Sequence, residues 1–365
     1  MNPSVQVPRR GSKLASSLGI SERIFSTSED RAMARAIDEG LELVEAGLER
    51  EARFADPLAD VAGRYLLEAG GKRVRPLLTL LIARLGDGTT DEVLTAAQAI
   101  ELTHLASLYH DDVMDEADKR RGVPTAQNVW GNSVAILTGD LLFARASQLM
   151  AQLGDRALKL QAATFERLVL GQMHETVGPA EGEDEIEHYI QVLADKTGAL
   201  IAAAARAGVS FSGADPALEQ PVVDFGERIG VAFQLVDDVI DLAPTGDDTG
   251  KIPGTDLRAG VVTLPLLKLR RLAASDADAA ALLERIELDV VGAPASADAP
   301  GADQSVVARA ELTIAELGEH PVTQETVDEA QRWARWAVEA IEPLPAGGVK
   351  KALTKFADTI VERTS

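Results

Sequence analysis

Twice in this chain an apolar helical stretch runs straight into Asp-Asp-x-x-Asp. The two segments are Leu108-Tyr109-His110-Asp111-Asp112-Val113-Met114-Asp115 and Leu235-Val236-Asp237-Asp238-Val239-Ile240-Asp241. Residues four apart share a helix face, so Asp111 projects with Asp115 and Asp237 with Asp241. Stacked carboxylates repel one another, and at a helix C-terminus they also oppose the macrodipole. A divalent cation removes both penalties. All-oxygen ligation selects a hard ion such as Mg²⁺, held by a few carboxylates plus substrate phosphates. A single cluster of this kind reads better as a solvated helix end. Two, each followed by a loop of Lys, Arg and Gly, read as a pair with one purpose.

The rest of the chain keeps the helical period. Ala34, Ile37, Leu41, Val44 and Leu48 fall on one face, and similar spacing predicts helices over 31–54, 58–67, 77–85, 91–116, 133–153, 156–177, 183–208 and 216–241. Another opens at Thr263-Leu264-Pro265, and three more are expected over 305–317, 324–341 and 347–363. Ala and Leu dominate the apolar residues and aromatics are 4%, which favours helix over sheet. The expected class is all-α: one large helical bundle over 29–365, after a flexible tail over 1–28 and with a surface loop over 292–303.

Several function classes drop out. A net charge of −22 leaves no basic face for nucleic acid. With no cysteine, disulfides, thiolate catalysis and Cys-based zinc sites are excluded. No apolar run is expected to reach the roughly 18–20 residues that span a bilayer, so no transmembrane segment is expected. Arg9, Arg10 and Lys13 lack the apolar stretch of a secretion signal, so a cytoplasmic location follows by elimination.

Three basic groupings answer the acids. Gly70-Gly71-Lys72-Arg73-Val74-Arg75-Pro76 combines glycines that let backbone approach an anion with a helix start near Pro76 and the charges of Lys72 and Arg75. Arg120-Arg121-Gly122 follows the first acidic cluster, and Gly250-Lys251-Ile252-Pro253-Gly254-Thr255-Asp256 follows the second. Each alone could be surface charge; together they point to diphosphate groups bridged by metal. His104 lies seven residues before Asp111, two turns back on its face; a lone histidine on an apolar helix is usually a satisfied core residue, and here it could face a second diphosphate instead. Lys196-Thr197 interrupts an apolar helix and needs an anion nearby. Gln234 lies three residues before Asp237 and can face the same cavity.

Five segments in this order, GGKRVRP (70–76), LYHDDVMDEADKRRGVPT (108–125), Lys196-Thr197, FQLVDDVIDL (233–242) and GKIPGTDLRAGVVTLPLL (250–267), make the chain resemble the trans-isoprenyl diphosphate synthases, the polyprenyl synthetase family. The match runs over roughly 40–365 and leaves out the tail and the 292–303 loop. The resemblance implies the isoprenoid synthase bundle with a central active-site cavity, a homodimer, and Mg²⁺, about three ions per active site. Asp111 and Asp115, with Asp112 in support, would hold Mg²⁺ on an allylic diphosphate, and Asp237, with Asp238 and Asp241, a further Mg²⁺. Arg120, Lys196, Thr197, Gln234 and Lys251 would contact the allylic substrate; Lys72, Arg75, His104 and Arg121 would bind isopentenyl diphosphate. The implied reaction ionises the allylic C–O bond and couples the cation to isopentenyl diphosphate. Transient membrane contact for product release is a further expectation.

Shorter-product members of that family carry bulky aromatics one to two turns before the first cluster. Here those positions are Ala106 and Ser107, with Thr103 beyond. Ala106 is roughly 7–8 Å deeper than Asp111, so small side chains there predict a long product, about six to ten isoprene units, of the kind used as quinone side chains. The rivals are a farnesyl- or geranylgeranyl-length synthase, a class I terpene cyclase, a non-catalytic partner subunit, and a helical scaffold with acidic patches. The second acidic cluster and GGKRVRP argue against the cyclase, and retention of both clusters argues against a silent partner.

Overall fold

The computed structural model describes residues 28–243, 253–294 and 303–364. The expected tail, apart from Ser28, lies outside the described residues, as do Lys251 and most of the 292–303 loop. In chain order the helices are α1 (Ser28–Glu51), α2 (Pro57–Glu68), α3 (Val74–Ala83), α4 (Asp91–Met114), α5 (Ala126–Trp130), α6 (Asn132–Gln152), α7 (Asp155–Val177), α8 (Glu185–Leu193), α9 (Ala199–Ser210) and α10 (Glu219–Leu242). They continue as α11 (Thr255–Arg258), α12 (Leu264–Ala273), α13 (Ala277–Arg285), α14 (Gln304–Glu319), α15 (Pro321–Ala340) and α16 (Gly348–Val361). The all-α class holds. The departures are local: a two-stranded hairpin, β1 (Lys119–Arg120) with β2 (Val123–Pro124), and π-helical turns at Ala194–Gly198 and Ile286–Val290.

Contacts group these elements into two compact units. The first holds the described residues up to Leu168 with Ala199–Gly226 and Ala340–Lys355; the second holds Val169–Gly198, Glu227–Glu339 and Phe356 onward. Along the chain, four of the divisions fall inside helices α7, α10, α15 and α16 and not in linkers.

In the first unit α4 is the core helix. It is apolar on nearly every side, with Val93, Ala96, Ala97, Ile100, Leu102, Leu105, Ala106 and Tyr109 buried, as a helix enclosed by others must be. Thr90 caps it, accepting from the Val93 amide, and Asp91 and Glu92 sit in the first turn where the dipole favours acids. It packs against α1, α3, α6 and α9. Small residues in α9 (ALIAAAARAGVS) allow close approach, and Thr79 of α3 donates to the Ala204 carbonyl at 3.0 Å.

By length and composition α6 could cross a membrane, the one such helix among the described residues. That corrects the expectation that no apolar run is long enough. Its Ala135, Thr138, Gly139, Leu142, Ala146, Leu149 and Met150 are buried inside the unit, while Ile136, Leu137 and Leu141 are exposed, so one face packs in the unit and another is left open.

The second unit has its own core. Leu242, Leu257, Leu266, Leu269, Leu282, Ile286, Ile314 and Leu317 pack where the end of α10 meets α11–α14. The helix expected to open at Thr263 ends at Ala273, and α13 starts afresh after Asp276, whose carboxylate accepts the Asp278 and Ala279 amides.

Candidate active site

In the first unit the acidic cluster closes α4. Asp111 is half-buried and Asp115, the C-cap residue, is exposed. Asp112 is fully buried, and Arg120 Nε donates to its Oδ1 at 2.7 Å. Its Oδ2 is buried with no hydrogen-bond partner. Burial pushes this carboxyl's pKa up, against the pull of Arg120. The hairpin brings Arg120 there. Arg121 and Gly122 are the two central turn residues, with φ of 54° and 80°, the signature of a type I′ turn that folds the strand back in two residues.

Arg121 turns the other way. Its Nη1 donates to the Leu66 carbonyl at the end of α2 at 2.7 Å. Burial, then the neighbouring Arg73, lowers its pKa to about 10. His104 is half-buried two turns before Asp111, and its pKa is held well below the ordinary range by burial and by Arg75, Arg121, Arg73 and Arg120. Arg75 is shifted down by burial and its Nε has no hydrogen-bond partner; Lys72 is exposed beside it. Arg73, Arg75, Arg120 and Arg121 thus gather around His104 in this unit, where Glu45 and Glu101 pair with Arg73 and Asp112 with Arg120. Arg75 Nε, buried without a partner, is the donor in this cluster that a bound anion would satisfy.

The second unit holds the other cluster. Asp237 is half-buried and pairs with Arg363 at 3.2 Å, whose guanidinium also lies over the Phe233 ring at 5.3 Å. Asp238 is buried; the Tyr189 hydroxyl (2.8 Å) and the Leu264 amide (3.2 Å) both donate to its Oδ2. Asp241 shapes the returning chain: its carbonyl accepts the Gly254 amide at 2.7 Å and its Oδ2 the Asp256 amide at 3.1 Å. Lys196 and Thr197 lie on the π-turn that splits the expected 183–208 helix, a widening common at functional sites. Gly171 permits α7 to approach this turn, since a Cβ there would meet the Lys196 amide nitrogen at 2.8 Å. Lys196 pairs with Glu175, and Gln234 is half-buried one turn before Asp237. Lys251 lies outside the described residues.

Burial pushes the pKa of Asp238 up to about 7, opposed by the hydrogen bonds from Tyr189 and Leu264. The usual aspartate value is about 3.9, so the folded protein binds this proton more tightly than the unfolded chain. The stability it contributes is fully present below about pH 4 and is lost as pH rises through about 7. Asp238→Asn keeps an acceptor for Tyr189 and Leu264 without the charge. Thermal unfolding in chelator should therefore show the variant gaining on the parent steadily from about pH 4 to about pH 7, and more stable near pH 8 by a few kcal/mol in order of magnitude. Equal pH slopes would rule this out.

The residues fit Mg²⁺. Donors are oxygen only, Asp112 Oδ2 is a buried acceptor without a donor, and Asp237 already takes one cation, Arg363. Among the described residues no three acidic or histidine side chains are grouped to hold a metal by themselves.

The sequence reading missed Tyr189, Glu175, Arg363, Arg73, Glu45 and Glu101. Only Arg73 lay inside a motif already singled out.

Residues 56–291 match a model of the polyprenyl synthetase family. A nonaprenyl diphosphate synthase of Mycobacterium tuberculosis is 48% identical over 248 residues, 68% of this chain and 74% of that one. Among solved structures, a decaprenyl diphosphate synthase from Rhodobacter capsulatus superposes with a TM-score of 0.76 at 31% identity, covering 92% of this chain and 99% of that one. A geranylgeranyl pyrophosphate synthase from Corynebacterium glutamicum, complexed with calcium and isoprenyl diphosphate, gives a TM-score of 0.75 at 38% identity, covering 93% and 99%.

Proposed function

The chain belongs to the polyprenyl synthetase family, and from that premise we propose that it condenses isopentenyl diphosphate with an allylic diphosphate into a long all-trans polyprenyl diphosphate. Such products run to about six to ten isoprene units when small side chains leave the path beside the first cluster open. The observation that carries the reading is the cation cluster of the first unit, Arg75, His104, Arg120 and Arg121, fastened through Arg120 to Asp112 of the first acidic cluster and lying in the segments that match the family. An enzyme with one diphosphate substrate has no need of so much charge apart from its metal.

Each group takes a role its surroundings suit. Lys72, Arg75 and Arg121 bind isopentenyl diphosphate, and His104, neutral at pH 7, donates one N–H to it. Arg120 stays fastened to Asp112 through Nε and offers its remaining N–H groups to the allylic diphosphate. Lys196, Thr197, Gln234 and Lys251 contact the same group. Asp111 and Asp115 hold Mg²⁺, and Asp237 holds a further ion. Bound there, Mg²⁺ acts as a Lewis acid that stabilises the leaving diphosphate. The cations and polar groups oppose its developing charge, and apolar helix faces exclude water from the allylic cation. Asp238, locked by Tyr189 and Leu264, sets the direction of Asp237. Residues 29–365 work as one catalytic domain, a reading supported by unit divisions that fall within helices.

A homodimer is part of the proposal. Ile136, Leu137 and Leu141 on α6 and Leu158 and Phe165 on α7 are large apolar side chains left exposed in the first unit, the mark of a face that meets another protein. Sedimentation of the purified chain distinguishes dimer from monomer. The enzyme works in the cytoplasm and touches a membrane only to release its apolar product.

The test is product analysis of the purified chain with isopentenyl diphosphate and allylic starters of several lengths. Long linear diphosphates support the reading. Products that stop at geranylgeranyl length favour the shorter synthase, to which the Corynebacterium relative's name points. A hydrocarbon formed from the allylic diphosphate alone would replace it with a cyclase.

A further inference from the structure

Between Lys72 and Arg75 stands Arg73, which that assignment does not use. Its backbone is left-handed (φ 49°, ψ 37°) at the N-cap of α3, although it carries a Cβ. Gly70 and Gly71 before it also have positive φ, 96° and 157°. The glycines adopt such angles freely, but Arg73 does so only at a cost, so something else must hold it.

The side chain is what holds it. It is 2% exposed and runs inward. Nε and Nη2 donate to the two carboxylate oxygens of Glu45 on α1, at 2.7 and 2.8 Å. Nη1 donates to Glu101 on α4 at 3.3 Å and to the Gly70 carbonyl at 3.5 Å; Nη2 also reaches the Leu67 carbonyl at 3.4 Å. One guanidinium therefore joins α1, the end of α2, the glycine turn and α4. Buried ion pairs add little net stability, and their best attested use is to fix register. The bidentate grip on Glu45 needs the planar fork of arginine, which lysine cannot reproduce. Gly71 is enclosed by the same arrangement: a Cβ there would lie 2.5 Å from Arg73 Nη1 and 3.0 Å from Arg121 Nη2. The path of the backbone that presents Lys72 and Arg75 is thus set by where Arg73 is fastened.

We propose that Arg73 is a positioning residue for the isopentenyl diphosphate subsite, fixing the spacing of Lys72 and Arg75 by tying the Gly70–Arg75 turn to Glu45 and Glu101. This rests on the reading of Lys72 and Arg75 given above. Pre-organised charges gain affinity because the cost of ordering them is met during folding and not at binding.

The experiment is steady-state kinetics on Arg73→Lys, with each substrate varied in turn and thermal unfolding measured alongside. The KM for isopentenyl diphosphate should rise at least about tenfold, while the allylic KM and kcat stay within about threefold. Glu45→Gln, at a partner 28% exposed and so less disruptive, should shift the same KM in the same direction by about threefold or more. Lys72→Ala is the control on the underlying reading. If Lys72→Ala leaves the isopentenyl diphosphate KM unchanged, the subsite itself is misassigned. If Lys72→Ala raises it and neither Arg73→Lys nor Glu45→Gln does, the positioning role is wrong. Equal loss in both KM values and kcat, tracking lowered thermal stability in both variants, would also overturn it, because a mere brace damages everything together.

Discussion

Asp111→Ala should lower kcat by about a thousandfold or more, about 4 kcal/mol of transition-state stabilisation, with almost no change in thermal stability of the metal-free protein. The carboxylate is half-buried at the end of α4, outside the packed core, so its loss opens no buried cavity. Removing it also removes a like charge from a helix C-terminus, which the dipole disfavours. Asp112→Ala should behave differently. Its Oδ1 is the partner of Arg120 Nε, and its backbone carbonyl receives both the Ala117 amide and Gln127 Nε2. Alanine keeps the carbonyl but leaves the Arg120 guanidinium unpaired beside a buried gap, so activity and melting temperature should fall together. Kinetics with Mg²⁺ and unfolding in chelator separate the two patterns. If Asp111→Ala keeps more than a tenth of the parent kcat, the metal assignment of this cluster is lost.

That contrast marks where the sequence was informative. Asp-Asp-x-x-Asp announces hard-cation chemistry because charge repulsion at a helix end needs an explanation whatever the fold. It does not say which aspartate faces inward: Asp112 lies next to Asp111 in sequence but about 100° round the helix, where it meets Arg120 on the first strand of a hairpin that strand-like alternation never signalled. Arg73 was hidden in the same way. In GGKRVRP three basic residues look alike, and only a left-handed backbone turns the middle one away from its neighbours and toward Glu45. Tyr189 lies on an amphipathic helix, where one more half-buried aromatic ring draws no notice until its hydroxyl is seen on Asp238. The π-turn at Ala194–Gly198 changes the phase of an apolar pattern without breaking it, so 183–208 reads as continuous helix. Helix existence was legible because Ala and Leu spacing decides it locally. Pairings between distant segments were not, because they depend on tertiary approach.

The same helical geometry sharpens the question of product length. Ala106 and Ser107 are both small, but they do not face the same way. At about 100° per residue, Ser107 lies within about 40° of Asp111, whereas Ala106 is about 140° away, nearer His110. His110 meets α6: its Nε2 is 3.0 Å from the Ile136 carbonyl, and a Cβ on Gly139 would strike its ring. The Ala106 carbonyl would lie 3.1 Å from that same Cβ, so α4 and α6 are in close contact beside it. Phenylalanine at 106 must therefore force two packed helices apart, at a cost of about 1–3 kcal/mol, and any change in product would be entangled with that strain. Phenylalanine at 107 instead places its ring on the Asp111 side, roughly 6 Å along the axis from the carboxylate, where a growing chain would run. Ser107→Phe should shorten the main product by several isoprene units while turnover of short allylic starters persists, since the cation cluster and both acidic clusters are untouched. The measurement is chain-length separation of dephosphorylated products at matched conversion. A product distribution identical to the parent's would show that the Asp111 face of α4 does not line the route of the hydrocarbon, and that length is fixed elsewhere in the bundle.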